Sequence, residues 1–471
     1  MTLYNTLSGE KEEFCPIEPG KVRMYACGPT VYDYIHVGNA RPVIIFDALR
    51  RFLTYRGYDV KFVQNFTDID DKIIKRANEE GVDTGVLTQR FINEYFEDAK
   101  ALGVRPATIH PKATDNIDAI EEIIQTLIDK GFAYQAGGDV YFRTERFSDY
   151  GQLSHQPLED LQAGARIDVT DVKERPMDFA LWKGAKEGEP SWPSPWGDGR
   201  PGWHIECTAM AGKLLGKTID IHCGGQDLTF PHHENEIAQS EAAYGCKFAN
   251  YWLHNGFISI DNKKMSKSLG NFFTVREAAA VYGYDTIRMF MLMSHYRSPL
   301  NYSGDILVQA GGGLERLYTA ADNLAFLLKT LPEGGPSDSE ADFLAALPAY
   351  RARFVEKLED DFNTADAISV IFELVRDINT ATSTDKAPTK ALVQAASDLF
   401  KELCGVLGLL DCRVVETQSD DLEAKVADMI EQRRQARGNK NFAEADRIRD
   451  ALKDMGITLE DTPQGVKWKK A

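Results

Sequence analysis

The chain has 471 residues, 43% hydrophobic and 27% charged, with a net charge of −18. That is enough apolar chain for about two to four domains with cores of their own. No run of about 18 apolar residues occurs and MTLYNTLSGEKEEF is polar throughout, which excludes a membrane span or signal peptide and makes a cytoplasmic location the expectation.

The seven cysteines, Cys15, Cys27, Cys207, Cys223, Cys246, Cys404 and Cys412, are scattered and form no CxxC pair. A disulfide framework and a ribbon-type zinc site are both disfavoured, and reduced thiols are expected. The acidic balance argues against a nucleic-acid partner until its distribution is considered. From Gln432 to Ala471 the chain carries +4, and the other 431 residues carry −22. Such a tail suits a phosphate backbone, or else reads as a solvated helix with i,i+4 pairs in RRQARGNKNFAEADRIRDALKDMG.

In chain order, VRMYACGPTVYDYIHVGNARPVIIFDALRRFLTYRGYDVKFVQNFTD gives a strand, a Gly-rich turn, a helix and a strand, a βαβ unit. Gly38 allows close backbone approach, and His36 and Asn39 fall near a helix N-terminus, an arrangement suited to phosphate. NFTDIDDK offers Asp68, Asp70 and Asp71 as metal ligands, but helix-start acids with Thr67 as the cap explain the cluster more simply. An insertion over residues 110–200 ends in SWPSPWGDGRPGW. A second βαβ unit follows in GKTIDIHCGGQDLTFPHHENEIAQSEAAYG and FANYWLHNGFISI, with a double-glycine turn. Pro231 suits a first helical turn, which puts His232 and Glu236 four apart on one face. That pair supplies two metal ligands, although the cluster alone reads more readily as an acidic helix start. In KKMSKS, Lys264 and Lys267 suit a polyphosphate or simply meet water. Beyond residue 305 the pattern is helical, interrupted by LPEGGPSDSE and VVETQSDD. A nucleotide-binding sheet in two halves brings CGPTVYDYIHVGNAR, GWHIECTAM, IHCGGQD and KKMSKS together at the carboxyl ends of its strands.

HVGN (36–39) with KMSKS (264–268) resembles the two signatures of class I aminoacyl-tRNA synthetases. ACGPTVYDYIHVGNAR, NFTDIDDKIIKRA, GWHIEC, FPHHENEIAQS, KMSKSLGN and FAEADRIRDAL together are similar to cysteinyl-tRNA synthetases over nearly the whole chain. Asn39 departs from the histidine of the general signature yet still donates to phosphate. Cys223 stands where the family commonly has glycine and reads as a small buried residue rather than a thiol at the metal.

The resemblance implies an α/β fold: a Rossmann-type parallel-sheet catalytic domain split by an insertion, then an all-α helical bundle and a small C-terminal domain. The implied divisions are 1–109 and 201–255 for the catalytic halves, 110–200 for the insertion, 256–304 for the KMSKS and stem-contact region, 305–417 for the bundle and 418–471 for anticodon recognition. It implies ATP-dependent ligation of L-cysteine to tRNA(Cys) through a cysteinyl-adenylate, by a monomer, with one Zn2+ per chain and Mg2+ carried by ATP. Zinc ligands carry over onto Cys27, Cys207, His232 and Glu236, leaving His233 and Glu234 pointing elsewhere. His36, Asn39, Lys264 and Lys267 are the implied catalytic groups. Gly38, Gly224, Gly225, Asp227 and Lys267 are the implied nucleotide contacts. Thr30, Trp203, His204 and His222 are implied to flank the amino-acid pocket, although a Trp beside a Gly also reads as core packing. The cysteine ligases of mycothiol synthesis share this core, but the basic tail speaks against them. A zinc hydrolase would need HExxH where this chain has HHENE.

Overall fold

A computed structural model describes residues 1–155, 172–261, 263–264, 273–413, 420–462 and 465–470. They form two units, one of Met1–Gly312, Phe354–Ile368 and Val406–Cys412, the other of Gly313–Arg353, Ser369–Gly405 and Arg413–Ala471.

In the first unit, a hairpin of β1 (Thr2–Asn5) and β2 (Glu10–Glu13) precedes β3 (Lys21–Ala26), α1 (Val37–Tyr55) and β4 (Asp59–Gln64). Helices α2 (Asp71–Glu80) and α3 (Thr84–Ala101) follow. The insertion contributes α4 (Ile117–Asp129) and an antiparallel sheet of β5 (Ala133–Ala136), β6 (Asp139–Phe142), β7 (Phe179–Gly184) and β8 (Gly199–Pro201). Its core gathers Ile120, Ile124, Phe142, Leu181 and Trp182, the apolar stripe of α4 facing the sheet. The second βαβ half runs through α5 (Trp203–Leu215), β9 (Ile219–Gly225), α6 (Glu234–Tyr244) and β10 (Ala249–Asn255).

The parallel sheet has the order β10-β9-β3-β4 and every pairing is parallel. Every residue of β9, IDIHCGG, is buried, as a central parallel strand covered on both faces requires. Two βαβ units leave the centre in opposite directions, so the strand order reverses between β3 and β9. A crevice opens there beyond the strand ends. The double glycine predicted as a turn is instead the end of β9, with Gly224 and Gly225 opposite His254 and Asn255. A second small sheet, β12-β11-β13, comprises β11 (Ile258–Ile260), β12 (Lys263–Lys264) and β13 (Leu300–Tyr302), with α7 (Val275–Tyr282) and α8 (Tyr284–Leu292) between the last two.

The remaining chain is helical, with α9 (Gly304–Thr330), α10 (Ala341–Glu359), α11 (Thr364–Ala381) and α12 (Lys390–Leu407). After α13 (Asp420–Gly438) and α14 (Phe442–Asp454) comes a hairpin of β14 (Ile457–Thr462) and β15 (Gly465–Lys470). The core of this last segment is small, built on Val426, Ile448, Leu452 and Ile457. The basic stretch predicted as one helix is two, parted at Asn439–Asn441, where Lys440 has φ 57°. Its described ion pairs include the i,i+3 pairs Arg434 with Glu431, Arg447 with Glu444 and Arg449 with Asp446. VVETQSDD lies mostly outside the described residues.

Candidate metal and nucleotide site

Cys27 follows β3 and donates its N–H to the Cys223 carbonyl of β9 at 3.3 Å. The next residue has to be glycine: a Cβ on Gly28 would overlap the Asn65 backbone carbonyl just past β4, and its N–H donates to Asn65 Oδ1 at 2.8 Å. Cys207 is buried in α5, 2% exposed. His232 lies in the π-helical turn Thr229–His233 and Glu236 in the first turn of α6. The helix therefore starts at Glu234, later than Pro231 suggests, because Phe230 is non-helical. The two side chains still meet at 3.1 Å between Nε2 and Oε1.

The four donors converge. Cys27 Sγ is 3.6 Å from Cys207 Sγ and 3.2 Å from Glu236 Oε1, and Cys207 Sγ is 3.7 Å from His232 Nε2. The edges of a tetrahedron around a zinc-sized ion would measure about 3.4 to 3.8 Å. Electrostatics agree with a site built for a cation. Burial raises the Cys27 thiol well above its usual range, so it keeps its proton and donates toward Cys207, whose thiol falls to about 6. Against the opposing effect of burial, His222 and His232 hold Glu236 at about 2, and Glu236 lifts His232 to about 10. Holding both thiols as thiolates beside the Glu236 carboxylate in this interior would take a dication to balance them.

Histidines surround the four donors. His222 Nε2 bonds Glu236 Oε2 at 2.8 Å while its ring stacks on Trp252 at 4.4 Å. His204 Nδ1 meets His232 Nδ1 at 2.9 Å, and Trp203 packs 4.3 Å from the His232 ring. Trp203 is 40% exposed, so the core-packing alternative fails. His233, expected to point elsewhere, is instead buried in the cluster, bonded to His254 at 2.8 Å, and belongs to a second group of potential ligands with Cys27, His222 and Glu236. Burial holds His233 and His254 far below the usual histidine range, so both stay neutral. Glu234 does turn away, accepting from the N–H groups of Gly151 and Ser154. Cys223 is fully buried, its thiol donating to the Tyr25 carbonyl at 3.2 Å.

His36 is the N-cap of α1. Its Nδ1 accepts from the Asn39 N–H at 3.3 Å, and the Asn39 side chain reaches back to the His36 N–H. Gly38 lies in the same first turn. The backbone of Lys264 is in β12 opposite Ser259, and Lys267 lies outside the described residues. A Cβ on Gly224 would come within 2.8 Å of His233 Cε1, and Asp227 is exposed in the turn after Gly225. Thr30 is half-buried, bridging to Thr67. Thr67 is not a helix cap: its hydroxyl donates to buried Glu206 at 2.8 Å, and Asp70 caps α2 by accepting from the Lys72 N–H. Asp71 pairs with Lys183 and Arg200, and Asp68 accepts from the Thr114 N–H at 3.0 Å.

Residues 13–311 match the model described as tRNA synthetases class I (C) catalytic domain, 353–411 the DALR domain, and 419–468 the cysteinyl-tRNA ligase anticodon binding domain. The chain is 55% identical to the cysteine–tRNA ligase of Caldicellulosiruptor saccharolyticus over 467 residues, 99% of each protein. It belongs to the cysteine–tRNA ligase family. A ligase of the same name from Clostridioides difficile is likewise 55% identical, over 100% of both chains. The fold also matches Mycobacterium tuberculosis methionyl-tRNA synthetase, with a TM-score of 0.62 at 18% identity over 84% of this chain and 92% of that one.

In this member of the cysteine–tRNA ligase family, sequence reading missed Asn65 and His254. Asn65 Oδ1 accepts from the Gly28 N–H and from the Cys207 thiol at 3.8 Å. The available signal was a polar residue following the apolar strand KFVQ. For His254 there was none beyond its alternation in YWLHN. No helix among the described residues is long and apolar enough to cross a membrane.

Proposed function

We propose that the chain joins L-cysteine to tRNA(Cys) through a cysteinyl-adenylate, with Cys27, Cys207, His232 and Glu236 holding one Zn2+ and Mg2+ arriving with ATP. The observation carrying this is the convergence of the four donors, whose ligand atoms all lie within 4.8 Å of one another, at the switch point of a synthetase-type sheet. When bound, zinc supplies a soft Lewis acid that favours a thiolate over a hydroxyl, which shape alone separates by only about 10- to 200-fold. The residues of the chain do the rest. His222 and His204 orient the ligand side chains Glu236 and His232, and Trp203 and Thr30 wall the amino-acid pocket. Gly224 and Gly225 admit the nucleotide closely, with Asp227 accepting from it. Gly38, His36 and Asn39 at the start of α1, with Lys264 and Lys267, neutralise charge growing on the phosphates as the cysteine carboxylate attacks the α-phosphate and pyrophosphate leaves. Residues 305–417 and 418–471 take the tRNA, the last by its anticodon. The enzyme acts as a monomer in the cytoplasm.

The test is cysteine-dependent exchange between ATP and pyrophosphate, with metal analysis of the purified protein. About one zinc per chain is expected, and Cys207→Ser should lose zinc and cysteine activation together. Full activity in a verified zinc-free preparation would refute the zinc assignment. Activation of serine as readily as cysteine would refute the selection.

A further inference from the structure

Arg41, two residues beyond HVGN, is fully buried in α1 among Ala40, Val43 and Ile44. No carboxylate pairs with it among the described residues. Both terminal nitrogens of its guanidinium are held by backbone oxygens, while the buried Nε has no partner among the described residues: Nη1 donates to Gly256 O at 2.7 Å and Phe257 O at 3.0 Å, and Nη2 to Ser298 O at 2.7 Å and His295 O at 3.3 Å. Burial draws its pKa down to about 10. Placing a cation there is expensive unless its donors are used, so the carbonyl cage is a specific arrangement.

Those four oxygens belong to two separate approaches to the small sheet. Residues 256–257 lead into β11, and 295–298 lead into its parallel partner β13, with Ile258 opposite Leu300. Gly256 fits between them because a Cβ would come within 2.6 Å of the carbonyls of Arg297 and Ser298. From β11 the chain turns into β12, which carries Lys263 and Lys264. It then returns to the same end of α1, where Val37 N–H donates to Phe273 O at 3.2 Å and Val275 N–H to Ile35 O at 3.0 Å. The first turns of one helix thus hold His36 and Asn39, and through Arg41 they also hold the strand leading to Lys264.

We propose that Arg41 is a positioning residue for adenylate formation: it sets the β11–β12 hairpin, which carries the backbone of Lys264, against the start of α1, where His36 and Asn39 lie. The inference rests on the adenylation reading above. A planar fork reaches two pairs of carbonyls in separate loops, whereas a lysine ammonium is a point donor and reaches one. Loss of the fork misplaces groups that act only in the transition state, so kcat falls and cysteine binding does not.

Arg41→Lys and, independently, Gly256→Ala should each lower kcat for cysteine-dependent exchange about 100-fold, with the cysteine KM within about threefold of wild type and metal content unchanged. Added guanidinium should restore part of the rate to Arg41→Ala. Wild-type exchange in Arg41→Lys would overturn the proposal. So would equal losses in kcat, cysteine KM and metal content, the mark of a merely structural residue. If Arg41→Lys does not fold, a wild-type rate in Gly256→Ala overturns it equally. Absence of cysteine-dependent exchange in the wild-type protein would instead refute the adenylation reading, and this inference with it.

Discussion

Replacing His222 with phenylalanine isolates one bond of the proposed metal centre. The ring is fully buried and stacked on Trp252 at an interplanar angle of 15°, a packing that phenylalanine retains. What disappears is the 2.8 Å bond to Glu236 Oε2. Oε1 faces Cys27 and His232, so among the described residues Oε2 has His222 as its hydrogen-bond partner. Removing such a support from a ligating carboxylate lowers metal affinity about 10- to 100-fold, or about 1.4 to 2.7 kcal/mol. Zinc competition against a chromophoric chelator measures this directly, and thermal unfolding with and without metal checks that the variant folds. The cysteine KM should rise in step with the weaker metal. Zinc affinity within threefold of wild type, in a variant that unfolds at the wild-type temperature, would refute the idea that His222 acts through Glu236 and return it to a direct contact with the amino acid.

His110 makes a pH prediction away from the metal. Its Nε2 accepts from the Ala107 N–H at 2.9 Å, its Nδ1 lies 3.0 Å from the Gln64 carbonyl, and burial lowers its pKa to about 4. Between that value and about 6.5 the unfolded chain binds the extra proton, so stability rises with pH across this window and is lost as pH falls through it, by at most on the order of 3 kcal/mol. Urea unfolding of wild type and His110→Gln from pH 4 to 7 should show a shallower slope in the variant, and identical slopes would refute the assignment. Truncation after Asp421 should spare exchange while raising the KM for tRNA. The slope of tRNA affinity against salt should shrink by about 0.7 to 0.9 for each phosphate that the truncated protein no longer neutralises. Charging and exchange measured over a salt series decide this, and unchanged charging would refute the anticodon role of residues 418–471.

What the sequence by itself determined is what short-range chemistry controls. Both βαβ units follow from apolar strands alternating with helical periodicity. His36 and Asn39 do fall at a helix start, and the His232–Glu236 approach survives a later helix start because Phe230, ahead of both, is the non-helical residue in Thr229–His233. Local reading failed where a longer-range partner outcompeted the local one. Thr67 has the chemistry of a cap, but buried Glu206 claims its hydroxyl, and Asp70 caps the helix instead. His233, expected to point elsewhere on the helix, is buried and bonded to His254, a partner on β10 that the local sequence does not reveal. The family resemblance put Cys27 and Cys207 in one ligand set, but only the tertiary structure gives their 3.6 Å approach across 180 residues, places Asn65 against both, or shows that Arg41 grips carbonyls 215 to 257 positions away. Such contacts leave no periodicity in the chain, because they depend on which strands become neighbours in the sheet. That choice is made by burial of the whole β10-β9-β3-β4 surface rather than by any residue near the site.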